Sequence, residues 1–191
     1  MNFRRVVYST KEGFRIWYLI TCKTQEEQKI LTICRKNLSP EALQDIFVLT
    51  YDRMRKYEGI WHLERQLLFP GSVFLESNNE KILLKELGKC NVIAPQENLF
   101  IRMSRKEEQL LKRLCGVKHH LEMSRGVIRR GETKIIEGPL KGMESRISRI
   151  DRHKRLARVQ FVTKSGDYEI HENGLSFCYI SAGLEITERI V

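Results

Sequence analysis

Apolar positions along this chain follow two different rhythms. From Phe14 to Cys22 the run FRIWYLITC is dense in β-branched and aromatic side chains, as in a buried strand. TQEEQKILTICRKNL follows, with Ile30, Ile33, Cys34 and Leu38 at helical spacing; Thr24 and Glu27 predict a capping box, and Pro40 predicts a stop. DIFVLTYD, Asp45 to Asp52, reads as a second strand, and RMRKYEGIWHLERQLLF as two basic-aromatic runs hinged at Gly59. Pro70-Gly71 predicts a turn before a third strand, SVFLES, Ser72 to Ser77. Asn78 and Asn79 cap NNEKILLKELGKC, whose stripe is Ile82, Leu83 and Leu87, and a short NVIA strand precedes Pro95. Ser104 and Glu107 form another capping box, for SRKEEQLLKRLCG, which Gly116 ends. Strand–helix–strand–strand–helix–strand with an added helix is an α+β layout of ferredoxin-like type.

From Gly131 the rhythm shortens to a period of two between Gly-rich turns: TKIIEG, ESRISRID, RLARVQFV, GDYEIH and FCYI. Five short strands in so few residues predict a small SH3-like β-barrel. Ala157, Val159 and Phe161 alternate with Leu156, Arg158 and Gln160, so the first set points inward and Arg158 outward. Ile147 and Ile150 lie three apart, which predicts a bulge just before a basic hairpin tip. VKHHLEMSRGVIRR between the two regions has no amphipathic period and reads as a linker. The expected organisation is therefore a domain over 14–116, a linker over 117–130 and a basic barrel over 131–191.

Charge sharpens this division. The formal net charge is +10, and residues 125–158 hold 11 basic against 4 acidic side chains, whereas 159–191 hold 2 basic and 5 acidic. Such clustering is the footprint of a phosphate-binding surface, or else a solvated basic face that aids solubility. The five cysteines, at 22, 34, 90, 115 and 178, are widely spaced without a CxxC pair, which argues against a zinc site or disulfide framework and for a reducing compartment. No long apolar segment suggests a signal peptide or membrane span, so the expectation is a soluble, cytoplasmic, monomeric protein that uses no cofactor and no metal. His119-His120 has no ligand-spaced carboxylate or cysteine beside it.

GETKIIEGPLKGMESRI…ID resembles a KOW motif, through Ile136, Gly138, Pro139, Gly142, Glu144 and Ile147. FRIWYLITCKTQEEQKI and LLFPGSVFLES resemble the first strand–helix unit and central strand of an NGN domain. NGN followed by KOW is the layout of the NusG family of transcription elongation factors, and the basic DRHKR finger is most similar to the specialised, LoaP-like antiterminator branch. Ser72 departs from the family pattern, which usually carries an aromatic after Pro-Gly.

The resemblance implies docking on the clamp helices of RNA polymerase through an apolar depression. Here its candidate lining is Trp17, Tyr18, Phe69, Pro70, Val73 and Phe74, although Tyr18 and Phe74 also suit a plain core. Arg146, Arg149, Arg152, Arg155 and Arg158 can fork onto phosphates or guanine edges, Lys141 and Lys154 add compact charge, and His153 can stack on a base. Together they predict binding to a structured leader RNA hairpin, which would give operon choice. The alternatives are a general factor whose KOW domain recruits a protein, a ribosomal protein, and an RNA-modifying enzyme. Against the enzyme stand the lack of GxxxxGK or GxGxxG and of any spaced acid–base pair.

Overall fold

The fold is a mixed α+β arrangement, seen in a computed structural model that describes residues 15–90, 100–161 and 179–190. The predicted NVIA and GDYEIH strands and Cys178 lie outside the described residues. Strand β1 (Ile16–Thr21) is the spine of a four-stranded sheet, where it runs antiparallel between β5 (Ser72–Ser77) and β6 (Phe100–Arg102). β2 (Asp45–Phe47) closes the far side of β5. Alternation along β1 and β5 divides the sheet's side chains between two cores. Tyr18, Ile20, Val73 and Leu75 meet Ile30, Leu31 and Cys34 of α1 (Glu27–Asn37) and Leu83 and Leu87 of α2 (Glu80–Lys89). Trp17, Leu19 and Phe74 face the other way, toward Phe47 and Leu111 and Leu114 of α3 (Arg105–Cys115).

The predicted strand over Asp45–Asp52 is in fact two. The chain leaves β2 at Val48 and starts β3 (Thr50–Tyr57), which joins a separate sheet between β4 (Ile60–Leu67) and β7 (His120–Leu121). Leu49 is buried at this change of sheet, and its carbonyl accepts the Leu68 N–H at 2.8 Å. The β3–β4 hairpin turns on Glu58 (φ 53°) and Gly59 (φ 80°), two left-handed residues in succession, as a type I′ turn requires.

Two predicted caps have different outcomes. Ser104 caps α3 as expected: its Oγ accepts the Glu107 N–H at 3.3 Å, and Glu107 Oε2 accepts the Ser104 N–H at 3.0 Å. Thr24 does not cap α1, which starts after Glu26 with no side-chain cap. Glu27 is instead buried and accepts the Gly71 N–H at 2.6 Å, so it fixes the Pro70-Gly71 turn. Glu27→Ala would leave that buried N–H unpaired, and urea denaturation should show a loss of about 1–3 kcal/mol. Ser72, next in the chain, is fully buried, and its Oγ has no hydrogen-bond partner among the described residues. Removing that hydroxyl in Ser72→Ala should therefore raise stability by up to about 1 kcal/mol in the same assay. Burial also pushes the Cys34 and Cys115 thiols up to about 12, the state of inert core cysteines.

The second large sheet has the order β10-β11-β12-β8-β9. Its members are β8 (Ser124–Arg129), β9 (Glu132–Glu137), β10 (Ile147–Asp151), β11 (Leu156–Gln160) and β12 (Tyr179–Ile190). β9 and β10 stand at its two edges, so no closed barrel forms among the described residues. β12 is shared: Tyr179–Gly183 pair antiparallel with β11, and Leu184–Ile190 pair parallel with β8. The stretch read as a linker contributes β7 and β8, and the basic residues of β8 are matched from neighbouring strands, Arg125 by Glu137 and Glu185 and Arg129 by Glu188. The inward set Ala157, Val159 and Phe161 is buried, and the register slips between Ile147 and Arg149, where the bulge was predicted. One cluster of buried residues runs from Trp17 and Phe74 through Phe69 and Phe161 to Ile180 and Leu184.

Candidate nucleic-acid interface

The basic finger is the β10–β11 hairpin with its turn over Arg152–Arg155. Asp151 Oδ1 accepts the Lys154 N–H at 2.9 Å, and Arg155 takes a left-handed φ of 50°, so the tip is locally fixed. The bulge sets the outward register, pairing Arg149 directly with Arg158. Cross-strand partners sit roughly 5 Å apart at Cβ, where like charges repel. Both side chains are exposed, and the Arg158 guanidinium lies 4.0 Å over the Tyr179 ring, which holds it at the surface. Arg152, His153 and Lys154 are exposed at the tip, and Lys154 Nζ lies 3.9 Å from Asp151 Oδ2.

The remaining predicted cations are placed otherwise. Lys141 is exposed in the turn after β9, where Gly138 holds φ +95°. Arg146 turns back and donates to the Gln160 carbonyl at 3.4 Å. Arg155 is turned inward, 2.7 Å from Glu185 Oε1 and 4.1 Å over the ring of Trp61 on β4. Glu144, which could have paired with an arginine, accepts the Ile135 N–H at 3.0 Å instead. Backbone hydrogen bonds, its own N–H first, hold its carboxyl below the usual range.

The six apolar candidates do not share one surface. Trp17, Phe69 and Phe74 lie together on one side of the first sheet, and Tyr18 and Val73 lie on the helix-covered side. All five are buried, and Pro70 alone of the six is exposed. The Trp17 ring meets Phe47 at 4.8 Å and Phe74 at 6.1 Å, and its Nε1–H donates to Glu76 at 2.9 Å. Phe69 packs on Phe161 of the second sheet at 5.9 Å.

The histidine pair serves two strands. His119 stacks on Phe47 at 3.5 Å and lies 3.2 Å from Asp45, whereas His120 bridges Thr50 at 2.8 Å and Asp52 at 2.9 Å. Among the described residues no group of three or more His, Cys, Asp or Glu could hold a metal ion, and no helix is long and apolar enough to cross a membrane.

No family model matches the chain, and no curated protein matches it. Among solved structures it is similar to NusG from Thermotoga maritima, reported for its domain interaction, with 16% identity over 91% of this chain and 94% of that one and a TM-score of 0.44.

The β3–β4 hairpin beside the finger stands where two basic-aromatic runs hinged at Gly59 placed it, but no binding residue is expected on it from the sequence. Its basic-aromatic composition, KYEGIWH, was the available signal. What the composition does not reveal is that Trp61 lies under Arg155.

Proposed function

We propose that the chain is a transcription elongation factor of the NusG type, acting in the cytoplasm as a monomeric, operon-specific processive antiterminator. In this reading an NGN-like domain over 14–116 docks on the polymerase clamp helices. A KOW-type domain over 131–191, reached through 117–130, binds a structured leader RNA. The observation that carries it is the facing pair Arg149 and Arg158 on an exposed finger tipped by Arg152, His153 and Lys154. Two like charges held opposite one another gain most when each meets a phosphate. The sequence motifs in both regions support the polymerase half.

The chemistry required is binding alone. A factor that bridges the polymerase cleft binds the closed clamp better than the open one, and so disfavours the opening that pausing and termination need. Phe69 is buried and packs on Phe161 and Phe74, so docking through it requires that packing to open.

Transcription through a terminator placed behind a structured leader tests the whole reading. Readthrough should rise only when the chain and the leader hairpin are both present. Readthrough indifferent to the hairpin would reduce the protein to a general factor, and no effect on core polymerase would remove the reading altogether.

A further inference from the structure

The β3–β4 hairpin carries features that the finger alone does not explain. Directly paired residues share a face of the ribbon, so the register places Tyr57, Ile60, Arg55 and His62 on one face and Lys56, Trp61, Met54 and Leu63 on the other. On the first face Tyr57 stacks on His62, with ring centroids 3.6 Å apart and planes within 9°, and Tyr57 is still 47% exposed. On the second face Trp61 receives Arg155 of the finger. The hairpin tip and the finger tip are therefore neighbours, joined by one guanidinium–indole stack.

We infer that the β3–β4 hairpin extends the finger into a site for single-stranded nucleic acid, with the Tyr57–His62 stack as the platform for an unpaired base. This rests on the reading of the finger as an RNA surface. Phosphates follow Arg152 and Lys154 to Lys56, and the strand turns over the hairpin tip to stack a base on the platform of the opposite face. A stacked aromatic pair whose tyrosine is half exposed suits a base that has no partner, because bases within a duplex have no free face to offer. Charge agrees: between Arg53 and Arg65 the hairpin holds four arginines and lysines against Glu58 and Glu64. A protein partner fits less well. The hairpin's two strongly exposed aliphatic side chains, Ile60 at 64% and Leu63 at 59%, lie on opposite faces and form no common aliphatic patch.

Fluorescence anisotropy with the full chain tests this, using labelled oligouridylate RNA and oligothymidylate DNA of about 12 nucleotides, within the usual span of one such site. Tyr57→Ala with His62→Ala should weaken binding about tenfold while the salt dependence stays the same, because a stacking contact releases no counterions. Tyr57→Phe, which keeps the ring, should bind as the parent does. Loss on either probe supports the proposal, and the tighter-binding probe names the strand. Unchanged affinity in the alanine variant, while Arg149→Ala with Arg158→Ala weakens binding, would overturn the hairpin site and leave the finger standing. No change in either variant would overturn both. Loss of core polymerase binding with oligonucleotide affinity intact would reassign the hairpin to a protein and overturn the inference.

Discussion

Arg149→Ala combined with Arg158→Ala should weaken binding of the leader RNA roughly 100-fold, the consequence of losing two charge-assisted contacts of about 1.5 kcal/mol each. Both guanidinium groups project outward from a register fixed by the bulge, so neither substitution disturbs the inward set Ala157, Val159 and Phe161. Thermal unfolding should accordingly change little, since the relieved like-charge pair and the lost Arg158–Tyr179 contact act in opposite directions. The slope of log affinity against log salt should fall by about 1.4 for single-stranded contacts and about 1.8 for paired ones. Arg149→Lys with Arg158→Lys adds a second control. Lysine restores the charge and hence the slope, but not the two-pronged guanidinium geometry, so affinity should recover only in part. Gel-shift titrations at several salt concentrations read affinity and slope, and calorimetry reads the unfolding; a double-alanine variant with parental affinity and slope would disprove phosphate binding by the finger.

The largest effect on stability should come from Gly138→Ala. A Cβ there would stand 2.6 Å from Ser124 Cα and 2.7 Å from the Met123 carbonyl oxygen, both backbone atoms, at a φ of +95°. Neither neighbour can rotate away, because Ser124 belongs to β8 and its Oγ accepts the Leu140 N–H at 3.1 Å. Strain and overpacking together should cost about 3 kcal/mol, a melting-temperature drop of roughly 6–12 °C for a chain of this length. Gly131→Ala separates the two causes. Gly131 has a similar φ of +82° but nothing within 4 Å of the added carbon, so it should lose only about 1 kcal/mol. Equal losses at the two glycines in a calorimetric comparison would show that the close approach to β8 contributes nothing.

Legibility in the sequence followed the range of the interaction that decides each feature. β5, the turn at Gly59, the Ser104 cap and the bulge before the finger depend on neighbours a few residues away, and each stands where its local pattern placed it. Thr24 lost its predicted role because Glu27 is drawn to Gly71, 44 positions along the chain. β8 was hidden because its outward positions are arginines, whose partners Glu185 and Glu188 lie on β12. The finger itself was readable as a basic hairpin, whereas the inward turn of Arg155 depends on Trp61, on a strand far earlier in the chain. For the apolar candidates the sequence held more than was taken from it. Trp17 and Tyr18 are consecutive on a strand, as are Val73 and Phe74, so a period of two already assigns each pair to opposite faces.

Strand β12 also orders events in time. Its first five residues complete the β10–β11 hairpin and the remainder extends β8–β9, so it is the seam along which two hairpins become one sheet. As the chain leaves the ribosome, residues 124–160 emerge as two ribbons, and an isolated two-stranded ribbon is at best marginal in water. The seam closes only when residues 179–190 follow. A nascent chain stalled before that point would already display every arginine of the finger, yet would lack the strand that carries Tyr179 under Arg158.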